Sequence, residues 1–176
     1  MKKMIFSYLA LSILSISYSL AQDSSSTKRA TFSMYCYWTG EATLGSLPGV
    51  KKTKIGHLSG SEIVEVLYDP QKTDIAKMSK ALKKQNSFYS VLYRTDEEKK
   101  YAQSALPKAQ IKKSKEQEVD YIAAKHSLQV VRPDIYALDL SEEQAIKLNT
   151  WAHFHQSKPM PDILTSQQKK KLLIKK

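Results

Sequence analysis

A second cysteine is missing. Cys36 is the only one in 176 residues, so the chain cannot close an internal disulfide, and its thiol must stay free, pair with a partner or be kept reduced. No cysteine stands directly after the apolar run from Met4 to Leu20, so no lipid-anchored cysteine of the bacterial type is expected. Acidic side chains are scarce, 17 against 28 Lys and Arg, for a net charge of +11. The excess gathers in Lys83-Lys84, Lys112 to Lys115 and Lys169 to Lys176, runs that read as solvated faces and a tail. No nucleic-acid-binding motif accompanies them, so no nucleic-acid partner is expected. The four histidines include no chelating pair, because His153 and His155 are two apart and would point to different sides of a helix. No metal and no bound cofactor are expected.

What is present divides the chain into five parts. Met1 to Ala21 has two lysines, an apolar stretch and the small-residue end Ser19-Leu20-Ala21, the pattern of a secretory signal peptide. Export to a periplasmic or extracellular space is therefore expected, with the mature chain starting near Gln22 and no membrane span left after cleavage. Residues 22–30 read as a polar, serine-rich linker. Residues 31–93 read as a core of order βαββαβ, from a strand at Thr31 to Tyr35 through a helix at 37–47, strands at 50–58 and 62–68, a helix capped by Thr73, and a strand at 87–93. That order predicts an α+β fold of the ferredoxin-like sandwich type, a four-stranded antiparallel sheet with two helices on one face.

Residues 94–156 read as a helical extension: helices at 96–105 and 111–124, an extended stretch at 130–140, and a helix through Phe154 opened by the capping box Ser141-Glu142-Glu143-Gln144. Its Ala145, Leu148 and Ala152 stripe is expected to dock on the core. Residues 157–176 read as a basic, flexible tail.

The chemistry points to Tyr35-Cys36-Tyr37-Trp38-Thr39-Gly40-Glu41. Strand alternation ends at Tyr35, and Glu41, Leu44 and Leu47 take up helical spacing until Pro48-Gly49, so Cys36 falls where a strand hands over to a helix. Backbone N–H groups and the helix dipole at such a place favour a thiolate, the nucleophilic form of cysteine.

These residues resemble the active-site motif of the peptide methionine sulfoxide reductases of the A type, Gly-Cys-Phe-Trp, a small residue, any residue, then Glu. The similarity continues through Leu47-Pro48-Gly49-Val50, Gly56 and Glu62 to Pro70, covering roughly residues 31–93 of what would be a shortened relative. The resemblance implies Cys36 as nucleophile and Glu62, six residues before the tyrosine of Tyr68-Asp69-Pro70, as proton donor. It also implies Tyr37 and Trp38 as walls around a substrate methyl group, with Phe88 or Tyr89 loosely in the place of an oxygen-binding tyrosine. The substrate implied is methionine sulfoxide, in oxidised protein or in a small molecule. The family's glycine-rich loop is reduced to His57–Ser61, and no second cysteine is present to resolve a sulfenic acid, so an external thiol or thioredoxin-like reductant is implied.

A second resemblance competes. Heavy-metal-associated domains share the same fold order and place a glutamate five residues after their second cysteine, as Glu41 stands after Cys36, but Ser33 occupies the position of the first cysteine. One thiolate beside a hydroxyl is a poor site for monovalent copper. A binding module of that kind, or an inactive relative kept for a protein contact, is the alternative.

Overall fold

In the computed structural model, which describes residues 27–115, 118–122 and 124–174, the chain is an α+β protein built on one mixed six-stranded sheet of order β5-β4-β1-β3-β2-β6. The first six elements are β1 (Lys28–Met34), α1 (Tyr37–Gly45), β2 (Val50–Leu58), β3 (Ser61–Tyr68), α2 (Ile75–Lys84) and β4 (Phe88–Tyr93). The four strands among them are antiparallel neighbours in the order β4-β1-β3-β2. The signal peptide expected at 1–21 lies outside the described residues, and β1 begins within the stretch expected as linker.

Alternation fixes the two faces of this sheet. Ala30, Phe32 and Met34 of β1, Ile55 of β2, and Val64, Val66 and Tyr68 of β3 all point to the side that α1 and α2 cover, where they meet Leu44, Ile75, Met78 and Leu82 in the main core. A one-residue slip of any strand would turn these side chains out, so the pattern pins the register. α1 settles close to the sheet because Gly40 has no side chain: a Cβ there would fall 1.9 Å from the Met34 sulfur.

The chain after β4 serves both faces, since Ala102 joins the main core while Val119 packs on the opposite face. α3 (Asp96–Ala105) carries the capping box Thr95/Glu98 and leads through a single 3₁₀ turn, Lys108–Gln110, to β5 (Ile111–Lys113), which pairs parallel to β4. β6 (Asp120–Tyr121) then adds to β2 at Gly56 and His57. Gly56 is required there, because a Cβ would sit 2.2 Å from the Asp120 carbonyl oxygen. Leu58, Ile63 and Leu92 are buried beneath this segment with Val119 against them.

The helix expected over 111–124 is thus replaced by two short strands. The exposed edges of β4 and β2 offer unpaired backbone groups, and pairing with them outweighs the local helical preference of a charged segment.

Four helices finish the chain: α4 (His126–Val131), α5 (Pro133–Tyr136), α6 (Glu142–Phe154) and α7 (Ser166–Ile174). They enclose a second core of Leu128, Ile135, Leu138, Leu148, Ala152 and Leu164. The stretch 130–140, expected to be extended, is helical as far as residue 136 apart from Arg132, because Pro133 opens α5 at its first position and Ile135 is buried. Within 157–176, expected as a flexible tail, α7 docks: buried Gln168 donates to the Asp139 carbonyl at 2.6 Å, and Leu172 packs on the second core. At α2 the cap is Asp74, which accepts from the Lys77 N–H at 2.7 Å, and not Thr73. The capping box of Ser141 and Gln144 on α6 is as expected.

Candidate functional site

Cys36 is the N-cap residue of α1, with extended backbone (φ −137°, ψ 113°) and no cap hydrogen bond from its side chain. It is a free thiol and half-buried. Its backbone is fixed from two sides. The Cys36 carbonyl accepts from the Gly40 N–H at 2.9 Å and from the Ser87 hydroxyl at 3.3 Å, and the preceding residue, Tyr35, donates its N–H to the Ser87 carbonyl at 3.1 Å. Ser87, just ahead of β4, therefore braces the residue on which the thiol stands.

Glu62 sits at the start of β3, opposite Met34 of β1 and His57 of β2. Its Oε2 accepts the Tyr37 N–H at 2.8 Å. Two backbone bonds separate that nitrogen from the Cys36 Cα, so the carboxyl oxygen lies no more than about 6 Å from it. The carboxyl does the capping that the thiol does not, satisfying one of the free N–H groups at the positive end of α1. The sulfur is left without a hydrogen bond among the described residues.

Tyr37 meets the rings of Trp38 and His57 edge-on, with centroids 5.8 and 5.6 Å apart. Its phenol is pushed above the ordinary tyrosine range, first by burial and then by the negative charge of Glu62 and of Cys36, both of which disfavour a phenolate beside them. Trp38 is 39% exposed and stacks on His126 at 3.9 Å with the planes 10° apart.

Four of the five expected site residues, Cys36, Tyr37, Trp38 and Glu62, are thus gathered at one helix start. Tyr89 is on β4, 55% exposed, and makes no hydrogen bond or ring contact with the other four among the described residues.

Glu41 has a different part. It is 1% exposed and faces Lys125, which is 6% exposed and whose backbone is left-handed at φ 64°. The Lys125 N–H donates to Glu41 Oε2 at 2.8 Å and its Nζ to Glu41 Oε1 at 3.1 Å. The same ammonium reaches Thr53 O, Thr53 Oγ1 and Glu142 Oε1, each at 3.0 Å. Thr53 Oγ1 and Asn149 Nδ2 also donate to Glu41, at 2.9 and 3.4 Å. The motif glutamate is consequently a buried junction between α1, β2, α6 and the residue ahead of α4. Lys125 and His126 carry no local sequence signal, since Glu41 and Trp38, which they meet on α1, lie more than eighty positions earlier in the chain.

Among the described residues, no group of three or more His, Cys, Asp and Glu side chains is placed to hold a metal ion. No described helix is long and apolar enough to cross a membrane. A cleft of about 830 Å³ opens at the far end of α1, between Gly45–Lys51 and residues of α6 such as Ile146 and Trp151. Compared with known proteins, the chain matches no family model and no curated protein.

Proposed function

We propose that this protein is a thiol-dependent oxidoreductase whose reactive group is Cys36, acting on methionine sulfoxide in oxidised proteins or small molecules. The observation that carries the reading is the hydrogen bond from the Tyr37 N–H to Glu62. It holds a carboxyl beside the one thiol of the chain, at a helix start that the thiol does not itself cap. A nucleophile, a group that can pass a proton and apolar rings for a methyl group stand together, as such a reaction requires.

In the proposed turnover the Cys36 thiolate bonds to the sulfoxide sulfur while the sulfoxide oxygen takes a proton, with Glu62 as donor. The oxygen then passes to Cys36, methionine departs, and the cysteine is left as sulfenic acid. Two equivalents of an external thiol, or one thioredoxin-like dithiol, return it to the thiol, forming a disulfide and water. Tyr37 and Trp38 flank the methyl group, since flat rings contact sulfur and its methyl favourably. Tyr89, apart from the other four, is at most a contact for the rest of the substrate.

The βαββαβ order and the strand order β4-β1-β3-β2 support assigning a ferredoxin-like core, to which β5, β6 and the later helices are additions. Export remains part of the proposal, resting on the leader-like sequence at 1–21. The test is direct. Mature protein with excess dithiothreitol should convert one stereoisomer of a methionine sulfoxide to methionine, and Cys36→Ser should abolish the conversion. Absence of conversion of either stereoisomer at any dithiothreitol concentration rejects the reductase reading.

A further inference from the structure

We propose that Lys125 is a positioning residue for the Cys36 site, anchoring the chain to α1 at Glu41 so that the next residue, His126, forms the outer wall beside the thiol. The inference rests on Cys36 being the reactive group, and not on sulfoxide being its substrate.

Two neighbouring positions of the later chain meet two positions of α1. Lys125 binds Glu41 inside the protein, through its own N–H and its ammonium, while His126 lies flat on Trp38 at the surface. Trp38 and Glu41 are three apart on a helix and so share a face. The spacing fits a segment that runs across the first turns of α1 with one inward and one outward contact.

The anchor is specific. An ammonium has three protons, and Glu41, Glu142 and Thr53 offer acceptors at 3.0 to 3.1 Å, so its donor capacity is fully used. Lys125 also holds a left-handed backbone, a conformation that costs a non-glycine residue free energy and persists only where its surroundings fix it. That backbone turn separates the directions of residues 125 and 126.

One face of the Trp38 indole is consequently covered by an imidazole that arrives from another part of the chain. A ligand reaching for Cys36 across Trp38 meets a stacked pair of rings, two residues from the thiol, whose placement depends on a contact at Glu41.

The experiment uses the mature chain with Trp151→Phe, which leaves Trp38 as the only indole. Three variants are compared: Glu41→Gln with Lys125→Met, which removes both buried charges together; His126→Ala; and His126→Phe, which keeps a ring on Trp38. After folding is checked by circular dichroism, Trp38 emission and the rate of Cys36 alkylation by iodoacetamide are measured.

The double variant and His126→Ala should shift Trp38 emission and change the alkylation rate by about two- to tenfold, the size expected for loss of one aromatic pair. His126→Phe should stay with the parent. A folded double variant, or a folded His126→Ala, with parental emission and alkylation rate overturns the proposal and reduces Lys125 to a tie between layers. If the parent does not reduce sulfoxide while alkylation still depends on Lys125 and His126, the reductase reading falls and the positioning role stands.

Discussion

Glu62 Oε2 accepts a hydrogen bond from the Tyr37 N–H across the gap between β3 and α1, at 2.8 Å. A residue distant in sequence thereby does for α1 what an N-cap side chain ordinarily does. The thiol next to that amide gains a helix start without being spent on it.

Capping and proton donation are separable at Glu62. Glu62→Ala removes the acceptor and should lower stability by about 1 kcal/mol in a thermal or urea melt. Glu62→Gln keeps an oxygen for the Tyr37 N–H and should melt close to wild type. It cannot give up a proton as a carboxylic acid does, so under the proposed chemistry turnover should drop by about a hundredfold or more. A Gln variant with wild-type turnover would remove Glu62 from the proton-donor role and leave it as a cap.

The Glu41–Lys125 pair makes a sharper stability prediction. Glu41→Ala leaves a buried ammonium facing Thr53, with only the half-buried Glu142 as counter-charge, and should cost about 3–5 kcal/mol in urea denaturation. Replacing both charges, with Glu41→Gln and Lys125→Met, should cost less than Glu41→Ala alone, since no uncompensated charge remains. Equal losses would mean that packing rather than charge holds this junction.

His153 sets a pH dependence. Burial holds it below its ordinary value of 6.5, and its Nδ1 lies 2.8 Å from the Ser127 hydroxyl. The unfolded chain therefore takes up this proton at a higher pH than the native one. The neutral ring contributes its full stability above the ordinary value, and that contribution is lost as pH falls through it toward the native value. Urea midpoints should thus decrease between about pH 7.5 and about pH 5.5. His153→Asn, which keeps a polar atom near Ser127, should flatten that part of the profile.

Gly40 and Met34 should be energetically coupled. Gly40→Ala drives a methyl group into the Met34 sulfur and close to Val64, and overpacking of this kind costs about 1–3 kcal/mol. Because the first obstacle is a flexible thioether, Met34→Ala should relieve part of the cost. The double variant is then more stable than the sum of the single changes predicts. Additive losses in a denaturation cycle would mean that α1 cannot approach the sheet for another reason.

The first six elements were legible because each carries its own periodicity. Alternation in 50–58 and 62–68 matches β2 and β3, and the stop at Pro48-Gly49 follows α1 closely. The capping box at Ser141 made α6 equally plain, and α3 lies at the expected 96–105 with a capping box at Thr95 that the expectation did not include.

Errors fall where partners distant in sequence decide the structure. Ile111 to Lys113 become a strand because β4 has a free edge, and α7 is ordered by Leu164, Gln168 and Leu172 meeting helices that no local pattern links to it. At the site, Cys36, Tyr37 and Trp38 were visible as neighbours in the chain, and Glu62 only through the family resemblance, which implies an acid six residues before Tyr68. Lys125 and His126 were not, since a buried lysine and a stacked histidine look in sequence like any surface pair.

The separation of 84 residues between Glu41 and Lys125 bears on biogenesis. A nascent chain completes the first four strands well before Lys125 leaves the ribosome. Until then the Glu41 carboxylate has to stay hydrated, which holds the first turns of α1 away from their final seat. The final seating of α1, which begins beside Cys36, is thus timed to the arrival of the C-terminal third of the polypeptide.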